Sequence, residues 1–298
     1  MKRLLRWLVV FAFVGAAVGL YLTRPHLLAE DALAGLTGDA AKGAVLFAAA
    51  GCASCHIAPG TEPSDTPVLS GGQRFVSAFG TFIAPNISPD PIAGIGAWSD
   101  QDLVQAVTRG VSPEGQHYYP AFPYASYQNA TLGDVLDIVA YLRLLPADPT
   151  PSQPHEVGFP FNIRRALGGW KLLFMRPGWV LPGPLSPQEE RGRYLVESLG
   201  HCAECHTPRN LLGGLKRAAW LTGAPHPSGQ GSIPNITPDA LGWAGFEISY
   251  YLETGFTPEF DTAGGEMAEV VLNTSQLAAD DRDAIAAYLL ALPALGDE

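Results

Sequence analysis

The sequence predicts a mainly α protein: two tandem copies of one small helical unit, joined by a proline-rich linker with a short helix, behind an N-terminal transmembrane helix. Three observations carry that prediction. Blocks of text recur 150 positions apart, apolar residues inside those blocks fall at helical spacing, and no segment of strand-like alternation stands out. With 298 residues the chain is long enough for two domains of ordinary size plus connections. Its 47% hydrophobic and 16% charged residues mark a folding sequence rather than a disordered one. A net charge of −11 argues against nucleic acid as a partner, since phosphate binding needs clustered Lys and Arg. The 33 glycines and 26 prolines imply long ordered loops between short helices.

Residues 1–25 come first. Lys2, Arg3 and Arg6 precede an apolar run over 7–22. At about 1.5 Å per residue that run spans roughly 24 Å as a helix, slightly less than a bilayer core. A secretory signal looks similar but usually ends in a small-residue cleavage site. Here the run ends in Leu20, Tyr21 and Leu22, followed by Arg24 and Pro25. An uncleaved anchor in the inner (cell) membrane is expected in preference to a cleaved signal. In either case the positive front stays inside, so the rest of the chain is expected on the periplasmic side.

The first unit is read over 39–146 and the second over 187–295. "KGAVLFAAAGCASCH" from Lys42 parallels "RGRYLVESLGHCAECH" from Arg191, which is one residue longer. "PNISPD" at 85–90 parallels "PNITPD" at 234–239, and "DVLDIVAYLRLLP" at 134–146 parallels "DRDAIAAYLLALP" at 281–293. Each unit should run helix, cysteine motif, long loop, helix, loop, terminal helix. Ser99 with Asp102 resembles a capping box, opening a helix that Gly110 can close. The terminal helices carry Ile138, Tyr141 and Leu142, or Ile285, Tyr288 and Leu289, on one face. In the linker, 147–186, Ile163, Leu167, Trp170 and Phe174 fall at helical spacing, although the pair Gly168-Gly169 weakens the helix. Such a helix would brace the two units, or else lie on a membrane surface or a partner subunit.

The four cysteines occur as Cys52, Cys55 and then His56, and as Cys202, Cys205 and then His206. Disulfides are the ordinary use of cysteine outside the cytoplasm. The C-x-x-C-H spacing instead signals covalent c-type haem attachment. Two thiols on successive helical turns each form a thioether with a haem vinyl group, and the adjoining histidine meets the iron. Two covalently bound haem c groups are therefore expected, with His56 and His206 as iron ligands. Each haem would supply apolar surface that so small a helical unit lacks.

A haem used for electron transfer normally has a second axial ligand from the protein, commonly His or Met. The chain holds three methionines: Met1, Met175 and Met267. Met267 lies in the loop before the second terminal helix and is the expected ligand there. Counting the same separations in the first unit lands on Tyr118 or Pro120, neither a good ligand, with His117 nearby. Three outcomes stay open: His117 ligates the iron, the iron is five-coordinate behind Phe122, or Met175 or another group reaches in. His201 reads as local packing.

These residues, with "GIGAWSDQDLVQAVTRG", "YPAFPYASY", "FNIRRALGGWKLLF" and "MAEVVLNTS", resemble the cytochrome c subunits of bacterial membrane-bound dehydrogenases for alcohol, gluconate, aldehyde or nicotinate. The resemblance runs from about Asp39 to Pro293. It implies a dihaem electron-transfer subunit without catalytic residues of its own. Such a subunit takes electrons from a dehydrogenase catalytic subunit and passes them to the respiratory chain. Several members carry three haem domains, and many place a methionine where Phe122 stands; this sequence departs on both points. Two other readings are weighed: an electron carrier in a quinol-oxidising or terminal oxidase complex, and a dihaem cytochrome c peroxidase. Residues 187–298 hold 16 acidic and 6 basic side chains against 9 and 4 over 39–146. The second unit is thus the better surface for a basic soluble electron carrier.

Overall fold

Helix α1 (Lys2–Leu22) meets the rest of the chain near its C-terminal end, where Arg165 donates to the Leu20 carbonyl. None of its residues is buried, and it is long and apolar enough to cross a membrane. The first half then runs through α2 (Ala40–Ala49), α3 (Cys52–His56), a hairpin of β1 (Arg74–Ser77) and β2 (Gly80–Ile83), α4 (Asp100–Arg109), α5 (Tyr124–Tyr127) and α6 (Leu132–Leu142). After a 3-10 turn at Arg164–Ala166 comes α7 (Leu167–Phe174). The second half holds α8 (Pro187–Tyr194), α9 (Ala203–His206), a short ladder of β3 (Ala224–Pro225) and β4 (Ser232–Ile233), then α10 (Pro238–Leu241), α11 (Gly245–Thr254), α12 (Glu266–Thr274) and α13 (Ala279–Ala291). This computed structural model describes residues 1–298 apart from Pro63, Ser228, Gln230 and 294–298, so the predicted limit at 295 lies outside the described residues. The mainly helical expectation holds. The two antiparallel ladders were not foreseen, because strands of four and two residues are too short to show alternation.

Two helix crossings organise the halves: α2 against α6, and α8 against α13. A glycine sits at each. A Cβ on Gly43 would lie 1.9 Å from the Asp137 carbonyl oxygen, and one on Gly192 would lie 1.9 Å from that of Ala284. Only hydrogen fits between backbones this close. The extra residue that the second copy carries between this glycine and its cysteines is absorbed by a π-turn, Leu195–Leu199, which continues α8. Crossing and motif therefore keep their relation in both halves. Capping boxes open α4 (Ser99 with Asp102) and α8 (Ser186 with Glu189), and Gly110 ends α4 in the left-handed region at φ 60°.

The buried apolar side chains form one cluster that spans both halves, from Leu46 and Val139 to Leu195 and Tyr288. Polar contacts cross the same junction. Asn273 Nδ2 donates to Ser54 Oγ at 2.7 Å, and Tyr194 Oη donates to the Asp134 carboxylate. Helix α7 braces this arrangement: Trp170 Nε1 donates to the Leu212 carbonyl, and Lys171 Nζ donates to the carbonyls of Arg109 and Gly110, both at 2.7 Å. Gly168, which weakens the helix in isolation, is needed here, because a Cβ would lie 2.0 Å from the carbonyl oxygen of Thr23 at the end of α1.

Candidate functional site

Each cysteine motif begins after a residue with left-handed backbone: Gly51 at φ 62° and His201 at φ 38°. Glycine takes this conformation freely, histidine only when its surroundings hold it. The His201 ring packs edge-on against Tyr127, whose hydroxyl donates to the Ala50 carbonyl at 2.8 Å. His201 thus lies at the junction of the halves as a packing residue.

The motif histidines are oriented alike. His56 Nδ1 lies 2.8 Å from the Pro85 carbonyl oxygen, and His206 Nδ1 lies 2.8 Å from that of Pro234. A carbonyl only accepts, so Nδ1 carries the proton in both rings and Nε2 keeps its lone pair. Burial pushes both imidazoles below the usual histidine range, which favours this neutral form. The prolines are held by matching loops. Gly71 N donates to the His56 carbonyl and Gly223 N to that of His206, both at 2.7 Å. Asn86 Oδ1 accepts from Ser88 N at 2.8 Å, and Asn235 Oδ1 from Thr237 N at 2.9 Å. The recurring "PN-I-S/T-PD" text is therefore an Asx turn that aims a proline carbonyl at the histidine. This role of Pro85 and Pro234 went unread in the sequence, although their repetition was the available signal.

The thiols sit in apolar surroundings. Burial pushes Cys52 and Cys202 up to about 12 and Cys55 up to about 11, and it raises Cys205 as well. Ile57, Ile87 and Phe122 in the first half, and Ile236, Trp243 and Met267 in the second, are half-buried against the core. Two thiols, one imidazole nitrogen kept bare by a proton on its partner, and an apolar wall are a donor set that fits a covalently attached haem.

Comparison with known proteins agrees. Residues 40–146 match the cytochrome c family model. A diheme cytochrome c-type protein of Cereibacter sphaeroides is 53% identical over 295 residues, covering 99% of this chain and 100% of that one. The chain belongs to the cytochrome c family. The cytochrome is also 37% identical over 262 residues to the fructose dehydrogenase cytochrome subunit of Gluconobacter japonicus, covering 85% of this chain and 52% of the relative. To a nicotinate dehydrogenase subunit of Pseudomonas putida it is 35% identical over 310 residues, covering 98% and 25% respectively. Of these last two, the cytochrome thus spans only about half and a quarter of the length.

The correspondence between the two loops ahead of the terminal helices follows from backbone pairing. Gly110 and Gly255 close α4 and α11; their carbonyls accept from Tyr118 N and Ala263 N, both at 2.8 Å. Val111 bridges His117 as Phe256 bridges Thr262. Residue 110 therefore corresponds to 255 and residue 118 to 263, which sets Phe122 opposite Met267. Sequence counting landed on Tyr118 or Pro120 because 24 residues separate Asn86 from Gly110 but 20 separate Asn235 from Gly255. Closer to the terminal helix, 19 separate Phe122 from Tyr141 but 21 separate Met267 from Tyr288. His117 falls opposite Thr262, in the bridge rather than opposite Met267. It is 3% exposed, and its Nε2 lies 3.0 Å from the Thr23 carbonyl oxygen. The structure thus turns the histidine considered as an iron ligand toward the end of α1. Met175 ends α7 and takes no part in the apolar cluster that includes Cys52, Ile57 and Phe122.

Proposed function

We propose that the cytochrome carries two covalently bound haem c groups and relays single electrons from a dehydrogenase catalytic subunit to the respiratory chain, held at the membrane by α1 with both haem units on the periplasmic side. The matched cradle is the observation that carries this reading: His56 on the Pro85 carbonyl and His206 on that of Pro234, each closing a C-x-x-C-H motif. Haem supplies a one-electron couple, and the chain's own residues orient and insulate it. His56 and His206 would each bind one iron, and Met267 would supply a further ligand to the second. The first motif helix touches the second half through Ser54 and Asn273, so the two centres lie on either side of a packed junction rather than a flexible hinge. The relatives named as subunits of fructose and nicotinate dehydrogenases support the choice of upstream partner.

The exposed apolar side chains near the end of α1 support anchoring. Phe161, Ile163, Leu172 and Leu173 are exposed around α7, whose Gly168 meets Thr23. A surface of this kind suits the membrane interface from which α1 emerges. Pyridine haemochrome titration with intact mass should return two added haems per chain, and salt or alkaline washing should leave the cytochrome in the membrane fraction. Affinity capture from solubilised membranes should bring down a dehydrogenase subunit that reduces it when given substrate. One haem by mass, or capture of a terminal oxidase alone, would refute the corresponding part.

Phe122 favours a second reading, because unequal axial ligands also occur in a dihaem peroxidase. Oxidation of a reduced donor by hydrogen peroxide with purified cytochrome would establish that reading, and its absence would leave the relay.

A further inference from the structure

The two halves are built to one plan up to the residue that completes the iron's coordination, and there they part. In the second half that position holds Met267, the second residue of α12. In the first it holds Phe122, set there by the same bridge and the same carbonyl bond that place Met267. A phenyl ring has no lone pair to offer a metal.

Among the described residues, the rings around Phe122 offer no amine, imidazole or thioether in its place. Phe122 lies in a cluster of aromatic rings, with centroids 6.0 Å from Tyr118, 6.3 Å from Tyr124 and 6.1 Å from Tyr127. Two of those three phenols are spent on backbone: Tyr124 Oη donates to the Tyr118 carbonyl at 3.1 Å, and Tyr127 Oη to that of Ala50 at 2.8 Å. Burial, with Glu114 nearby, keeps the Tyr118 phenol protonated. The amine of Lys171, 4.5 Å from the Tyr124 ring centre, is held by two carbonyls. His117 is turned to Thr23.

We infer that the first haem is a ligand-binding centre whose iron is left without a protein group on the Phe122 side, and that it takes neutral diatomic molecules of the carbon monoxide and nitric oxide class. Such ligands suit this wall. A desolvated anion needs a cation or several donors to stabilise it, and the rings around Phe122 provide neither. Peroxide cleavage calls for a group that moves a proton at the iron, whereas the rings packed around Phe122 are those of Tyr118, Tyr124 and Tyr127. Phe122 thus acts as a specificity residue: it withholds a sixth ligand and keeps the side it covers apolar.

This inference rests on the two-haem reading above, and the experiment separates the two. Carbon monoxide is titrated into the dithionite-reduced cytochrome and into the F122M and M267L variants. The unaltered protein should show a carbon monoxide difference spectrum involving half of its haem, together with a near-infrared methionine-to-iron band for the other half in the oxidised state. F122M should lose the carbon monoxide response and double the near-infrared band. Should F122M fail to fold, the unaltered protein still decides. Two low-spin haems with no carbon monoxide response would overturn the inference while leaving the relay intact. Loss of that low-spin state in a H117A, M175L or K171M variant would identify the ligand that had been missed. A haem count of one would instead overturn the two-haem reading itself.

Discussion

Met267 is where one side chain has the plainest consequence. A thioether ligand opposite histidine raises a haem's potential, and leucine has nearly the same volume without a lone pair. M267L should remove the near-infrared band entirely and lower the potential of one haem only, as followed by spectroelectrochemistry; an unchanged band would place the thioether elsewhere. Tyr127 tests the junction. Its hydroxyl donates to Ala50 and its ring packs against His201. Y127F keeps the ring and leaves a buried carbonyl without its donor, which should cost about 1–2 kcal/mol in chemical denaturation while the haem content stays the same. The proline carbonyls that orient His56 and His206 show why residue identity alone undersells a site, since the group that acts belongs to the backbone.

At the scale of elements, the two glycine crossings carry the strongest expectation. G43A or G192A must push α2 from α6, or α8 from α13, because the new Cβ would meet a carbonyl oxygen at 1.9 Å. Overpacking of this kind costs about 1–3 kcal/mol, and holoprotein yield should fall with it. Gly133 is the contrast. It lies inside α6, where an added Cβ would find its nearest neighbour 3.9 Å away, so G133A should stabilise by about 0.5–1 kcal/mol through helix propensity. Equal melting temperatures for the three variants would dismiss close approach as the reason for the glycines. The helices themselves were legible in the sequence because their signals are local: Ser99 with Asp102, and the spacing of Ile138 and Leu142 or of Ile285 and Leu289. The hairpin at 74–83 was not, since four-residue strands are held by their partner and by Glu156, which bridges Thr81.

Over the whole molecule the halves share one core, and Ser54, Asn273, Asp134 and Tyr194 join them by hydrogen bonds. The soluble part should therefore unfold in a single transition, with absorbance and far-ultraviolet dichroism superimposable; two separated transitions would show the halves to be independent. Charge acts at the same scale. The 16 acidic against 6 basic residues over 187–298 should make reduction of a basic carrier slow by about tenfold or more as salt rises from low to physiological strength. A rate indifferent to salt would move the docking surface away from the second half.

The sequence by itself determined the recurring text, the two C-x-x-C-H motifs with His56 and His206, the apolar leading helix and the singling out of Met267 as a candidate ligand. All of these are written in short spacings that survive without knowledge of the fold. Tertiary structure decided between Phe122, where the resemblance expects a methionine, and His117: Phe122 stands opposite Met267, and His117 belongs to the end of α1. The reason is that loops of unequal length break any count along the chain, whereas backbone hydrogen bonds between distant segments restore the register in space.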